Sequence, residues 1–142
     1  MCNENNSSNC IADILNVINI LQQNASCCGD NCLDTCDRGF LGCNMNTVNC
    51  NTRPVMLYTN NNTAWQMPTT KDDIDCADET SNCSNVFRVE KIDGNCCTFR
   101  VLAPNTEPGA TYPYVSTNSF FTINLNCVCA LKCLNDTYIE CI

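Results

Sequence analysis

Near its C-terminus the chain reads INLNCVCALKCL, which spaces Cys127, Cys129 and Cys133 as C-x-C-x3-C. They are three of 16 cysteines, and no histidine accompanies any of them. Thiols can pair as disulfides, bind metal or act as nucleophiles. The missing histidine removes the ordinary Cys-His and Ser-His-Asp systems. A zinc site would need four thiolates or carboxylates. Cys32-x3-Cys36 and the C-terminal trio resemble such ligand sets loosely, but no pair of C-x2-C knuckles occurs. No C-x-x-C redox motif and no glycine-rich phosphate loop is present. No enzyme activity and no cofactor are expected. Disulfide formation is the leading use of the sulfur, and a cysteine-rich zinc-binding protein is the alternative.

Sixteen cysteines in 142 residues is about 11%, above the roughly 8–10% at which a short chain reads as a disulfide scaffold. That content calls for oxidising surroundings. The N-terminus, MCNENNSSNC, lacks the basic region of a signal peptide. The apolar stretch after it is interrupted by Asp13, Asn16 and Asn19, so it reads as neither a signal core nor a membrane span. Cysteine-rich content without an export signal leaves three readings open: the thiols bind metal, they are catalytic, or the protein is made in a cytoplasm and oxidised later. The net charge is −8, with only seven basic residues. Binding to nucleic acid or to an anionic membrane, which needs clustered cations, is not expected. The acidic run TKDDIDCADE, residues 70–79, reads as a solvated loop without EF-hand spacing. Asparagine dominates the polar residues, and the run Asn60–Asn62 suits a turn.

These thiols need elements to position them. SSNCIADILNVINILQQ reads as a helix, capped by Ser8 or Asn9, with Asp13 in its first turn. Ile11, Ile14, Leu15, Ile18 and Leu21 share one face at helical spacing, which Val17 and Ile20 widen. That face suits either packing on the chain's own core or docking on a second copy. Residues 25–51, with Cys27, Cys28, Cys32, Cys36, Cys43 and Cys50, lack periodicity and read as a cross-linked loop region. TRPVMLYT is a short strand, with Pro54 at an edge or at the strand's first residue. Residues 60–84 read as a surface excursion. In NVFRVEKIDGNCCTFRVLA, two alternating runs flank Asp93-Gly94, a favoured hairpin turn. From Phe121 to Cys133 the alternation has period two. That places the three C-terminal cysteines on one face, in line with Phe121, Ile123, Leu125 and Leu131. About thirteen residues is long for one strand, so a bend or break has room there.

Same-face neighbours on a strand lie about 6.6 Å apart with parallel side chains, whereas a disulfide needs converging ones. Cys127 and Cys129 on a regular strand therefore need partners elsewhere. Cys96 and Cys97, adjacent on the hairpin, point to opposite faces. Cys2, Cys10 and Cys141 lie near the chain ends, where arms can reach a neighbour. The expected fold is mainly β, a β-sandwich-like antiparallel sheet, with one N-terminal amphipathic helix. The organisation is a single domain: an arm and helix over 1–24, the cysteine-rich region over 25–51 and a β domain over 52–142.

The helix opening NCIADILNVINILQ, the strand NTRPVMLYT, the hairpin VFRVEKIDGNCCTFRVL and the ending TINLNCVCALKCLND resemble the CotY/CotZ/ExsY family of cysteine-rich spore coat, crust and exosporium proteins. The resemblance touches most of the chain in order. It implies a structural subunit of a spore surface layer that assembles with itself, possibly as hexameric rings extending to a lattice, and with other spore surface proteins. It also implies synthesis in the mother cell without a signal peptide, and oxidation after that cell lyses. On this reading Cys2, Cys10, Cys27, Cys28 and Cys141 are the candidates for links between chains. Cys96, Cys97, Cys127, Cys129 and Cys133 are the candidates for links within the sheet framework. Ile11, Ile14, Leu15, Ile18 and Leu21 form the candidate assembly face.

Overall fold

The computed structural model describes residues 9–23, 50–76, 82–140 and 142. Helix α1 spans Cys10–Gln23. Asn9 caps it, its Oδ1 accepting hydrogen bonds from the backbone N–H of Ile11 (3.0 Å) and Ala12 (3.1 Å). Strand β1 is Val55–Tyr58, β2 Met67–Pro68, β3 Cys83–Ser84, β4 Val86–Asp93, β5 Cys96–Pro104, β6 Tyr114–Asn124 and β7 Ala130–Cys133. Five of them form an antiparallel sheet in the order β6-β5-β4-β1-β7, and β2 and β3 form a two-stranded ladder. The fold is mainly β and antiparallel, with its helix near the N-terminus.

One face of the sheet carries Val55, Leu57, Phe87, Val89, Cys97, Phe99 and Val101, all inaccessible to solvent. The rings of Phe87, Phe99 and Phe121 meet there at centroid distances of 4.8 to 6.1 Å. Ile11, Leu15 and Ile18 of α1 close the core from above, and Met67 of β2 packs against it. Of the candidate assembly face, Ile11, Leu15 and Ile18 are thus buried inside the chain, while Ile14 and Leu21 are half-buried. The helix's large apolar side chains open to solvent are Val17 and Ile20, which the sequence placed on the buried stripe. Period 3.6 explains the difference: both sit at the margins of a face centred on Leu15 and Ile18.

The hairpin turn falls one residue later than the sequence suggested. Asp93 pairs with Cys96, leaving Gly94-Asn95 as the two-residue loop. Gly94 takes φ +61 there, the backbone a II′ turn assigns to glycine at its first central position. A bulge between Val89 and Lys91 lets Val89 and Ile92, three residues apart, both face the core. After β1, Asn62 adopts φ +63, a left-handed conformation that asparagine tolerates.

The long alternation from Phe121 does not continue as one strand. Strand β6 ends at Asn124, whose side chain accepts from the backbone N–H of Asn126 (2.9 Å) and caps a 3₁₀ turn over Leu125–Cys127. The turn changes the period: Leu125 and Val128, three apart, are the buried residues, while Cys129 is exposed. Of the three cysteines only Cys133 therefore stands in a strand, paired with Val55.

Candidate functional site

The site is the set of cysteines, and the fold sorts them by state. Cys76 and Cys83 form a disulfide with Cα atoms 5.8 Å apart, tying the excursion after β1 to β3. Cys127 and Cys133 are also disulfide-bonded. Cys10, Cys96 and Cys129 are exposed free thiols, and Cys97 is a buried one. Cys2, Cys27, Cys28 and Cys141, named for links between chains, lie outside the described residues.

The five framework candidates do not act as one group. Cys127 and Cys133 are in disulfides, whereas Cys96, Cys97 and Cys129 keep free thiols. Pleating explains the split at the hairpin. Cys97, paired with Ile92 and Ile123, points into the core, and Cys96, one residue away, points out. Burial pushes the Cys97 thiol up to about 12, because an anion there would lose its hydration. It stays protonated and unreactive at neutral pH.

The exposed thiols gather round the 3₁₀ turn. Cys96 pairs with Asn124, and the carbonyl of its neighbour Asn95 accepts from the N–H of Leu125 (2.7 Å). Asn9, next to Cys10, donates from Nδ2 to Asn126 Oδ1 (3.3 Å). Cys129 follows the turn by two residues, and its N–H bonds to the carbonyl of Tyr58 (2.8 Å). Each thiol is therefore held by backbone that is itself hydrogen-bonded. Among the described residues no three Cys, Asp or Glu side chains converge as metal ligands.

Two polar arrangements were not foreseen from the sequence. Arg53 and Asp136 form a pair whose side chains are 2% and 4% exposed, Nε to Oδ1 at 2.7 Å and Nη2 to Oδ2 at 3.0 Å. On the sheet face away from the helix, Glu90 Oε2 accepts from Arg88 Nη1 (2.8 Å) and Arg100 Nε (2.9 Å). Arg88 and Arg100 are cross-strand partners, so the Glu90 carboxylate between them offsets the repulsion of two like charges placed opposite each other. Burial lowers the Arg88 pKa, and the Glu90 carboxylate opposes that shift. The sequence does hold a signal for the bulge: VFRVEKID breaks period two between Val89 and Ile92.

A broad open groove lies between the Pro104–Ser116 segment, Tyr138 and Glu140. Burial raises its Tyr114 phenol.

A family model described as spore coat protein Z matches residues 1–112. The chain belongs to the spore coat protein Z family. The matched span takes in α1, the cysteine-rich region and β1 to β5, and it ends before the C-terminal cysteine run. No curated protein and no solved structure matches the chain. Family membership gives it a structural role in the spore coat and a place at the spore surface, and it points away from an enzyme. Among the described residues no helix is long and apolar enough to cross a membrane.

Proposed function

We propose that this spore coat protein Z family member is a self-assembling subunit, and that disulfides between copies lock its assembly. The supporting observation is the coexistence of bonded and free cysteines among the described residues: Cys76, Cys83, Cys127 and Cys133 are bonded, while Cys10, Cys96 and Cys129 are free and exposed. A chain that used its sulfur only to staple itself would gain nothing from exposed thiols. Non-covalent contacts set the geometry first, since a disulfide forms only between sulfurs already placed. Oxidation then turns an equilibrium assembly into one that resists dissociation kinetically. The assembly is an ordered lattice or polymer, with hexameric rings as one way to propagate it, and other spore surface proteins join it. The chain is made in the mother cell and oxidised when that compartment is lost.

The test is a boiled non-reducing gel of the purified chain beside a reduced lane, with unboiled material imaged by electron microscopy. High-mass bands that collapse to one near 15.7 kDa on reduction, from material that forms arrays, support the reading. A monomer in both lanes and no array would sink it.

A further inference from the structure

The five-stranded sheet ends on two strands of different character, and the longer one deepens the assembly reading, on which the following rests. We infer that the edge of β6, over Phe120–Asn124, is the surface on which a second copy of this chain docks. The second copy's β6 runs antiparallel to it across a two-fold axis at Thr122.

The sheet order leaves β6 and β7 at its edges. Strand β7 has four residues and carries Lys132, and both shortness and lysine blunt an edge. Strand β6 has 11 residues, and the chain carries no charge between Glu107 and Lys132. A bulge interrupts β6 where Thr117–Ser119 stand opposite Val101 alone. The bulge is tied inward: Thr117 Oγ1 donates to the Val101 carbonyl (2.6 Å) and Ser119 Oγ to the Pro68 carbonyl (2.8 Å). Beyond it Phe120–Asn124 pairs regularly with Cys96–Arg100, and among the described residues no strand covers the far side.

The register decides which backbone groups face out. The Gly94-Asn95 loop closes on a hydrogen-bonded Asp93–Cys96 pair. Bonded and non-bonded pairs alternate along an antiparallel ladder. Ile123 therefore exchanges its bonds with Cys97, while Phe120, Thr122 and Asn124 turn their N–H and C=O to the open edge. The close contact of Thr98 Oγ1 with Thr122 Oγ1 (2.8 Å) is what a non-bonded pair produces.

This segment is complementary to itself. With Thr122 opposite Thr122 of the second copy, Phe120 meets Asn124 in each direction, and every such pair exchanges two hydrogen bonds. Phe121 then faces Ile123 of the second copy. Both are half-buried side chains that pack on the core from its rim, and the pairing completes their cover. On the other face the Thr98–Thr122 contact extends into a row of threonines, two from each copy. Copies of a chain with net charge −8 repel one another, and this strand brings no carboxylate of its own to the contact. Docking β7 there instead would leave most of the edge unpaired, because β7 has only four residues.

The experiment keeps every thiol reduced, so that only non-covalent contact is read. Amide hydrogen exchange of the full wild-type chain is followed by NMR at rising concentration. The amides of Phe120, Thr122 and Asn124 should gain protection as concentration rises, in step with dimer formation in sedimentation. This result does not depend on any variant folding. Thr122→Lys and Thr122→Glu are then made separately. Each sets like charges face to face on the axis and should weaken dimerisation at least ~10-fold. Mixed in equal amounts, the two variants should dimerise again, as a two-fold axis through this residue requires. Protection of the three amides at every dilution would mean that the chain's own segments cover the edge. Protection at no concentration would mean that no second copy pairs there. Either result, or a mixture that stays monomeric, overturns the proposal, while arrays from the oxidised wild type would leave the assembly reading standing. Wild-type protein that is monomeric in reductant and on the non-reducing gel, and forms no array, overturns both.

Discussion

Two junctions join distant parts of this chain, and they are finished in opposite ways. At one, Asn51–Arg53 meets Asp136–Ile139. The N–H groups of Asn51 and Thr52 both donate to the carbonyl of Thr137, whose own N–H returns to the carbonyl of Thr52 (2.9 Å). Asn51 completes the exchange, donating from Nδ2 to the Ile139 carbonyl (3.0 Å) and accepting at Oδ1 from the Ile139 N–H (2.9 Å). The Arg53–Asp136 pair lies sealed beside them. At the other junction, round the 3₁₀ turn, the backbone is equally well bonded, yet three thiols face outward without partners. The first junction is saturated: every polar group named has a partner inside the molecule. The second fixes its backbone and leaves its side-chain chemistry open. A subunit that must keep its shape and still be linked to others needs both kinds.

Breaking the sealed junction has the largest expected cost. Asp136→Ala leaves the Arg53 guanidinium buried without its carboxylate, which costs about 3–5 kcal/mol. Urea denaturation should show a midpoint shift of that size. Replacing both partners with apolar residues of similar volume, Arg53→Met with Asp136→Leu, should recover most of it, because the penalty comes from the stranded charge. A small effect from Asp136→Ala alone would mean that water reaches the site, and the contrast between the junctions would fail.

Gln22 tests the same principle where the helix meets the sheet. Its Nε2 donates to the Val89 carbonyl (2.8 Å) and its Oε1 accepts from the Arg53 N–H (3.0 Å). The side-chain amide thus bridges β4 and the residues leading into β1, supplying a ladder bond the strands do not make directly. Gln22→Ala strands two buried backbone groups, at about 1–3 kcal/mol for each unsatisfied group. A thermal melt within about 0.5 kcal/mol of wild type would show that the bridge adds little beyond what solvent supplies.

How much of this was readable in the chain depends on range. The helix cap at Asn9, the apolar face through Leu15 and Ile18, and the hairpin near Gly94 depend on neighbours a few residues apart, and local spacing reveals them. The end of β6 was hidden because its cause is a side chain, Asn124, folding onto Asn126 within a run whose hydrophobic pattern continues unbroken. The Arg53–Asp136 pair spans most of the chain, and each residue alone looks like an ordinary surface charge in a polar segment. The state of each cysteine was the least legible. Pleating predicts that Cys96 and Cys97 diverge, but which thiol meets a partner depends on the topology that brings strands together. The helix face is the instructive case: amphipathicity shows that a face must be covered, and only the fold shows that Ile11, Leu15 and Ile18 meet the chain's own core.

Cys97 sharpens the comparison between a sealed and an open thiol at adjacent positions. With a pKa of about 12 against an ordinary 9.0, on the order of one Cys97 thiol in 10⁴ is ionised at pH 8. Iodoacetamide at that pH should label Cys96 in native protein at least 100-fold faster than Cys97, with both labelled after unfolding. The same shift makes stability depend on pH. Above pH 9.0 the unfolded chain releases the proton while the folded chain holds it until about 12. The unfolded state then binds fewer protons, so stability falls as pH rises through this window. Cys97→Ala should remove that part of the slope. Wild type and Cys97→Ala with parallel pH profiles would show that the thiol is not sealed.

The smallest expected effect carries the most weight for the contrast. In the presence of reductant, the variant with Cys10→Ser, Cys96→Ser and Cys129→Ser should unfold within about 0.5 kcal/mol of wild type, the range of surface substitutions away from structural features. Using reductant for both proteins removes every disulfide and leaves only packing and solvation to compare. An exposed thiol that contributes nothing to folding is free to be kept for another purpose. If instead the three substitutions cost more than about 1 kcal/mol, the sulfurs are acting as small hydrophobic side chains that fill the surface round the turn. Their exposure would then be incidental to packing, and the open junction would differ from the sealed one only in degree.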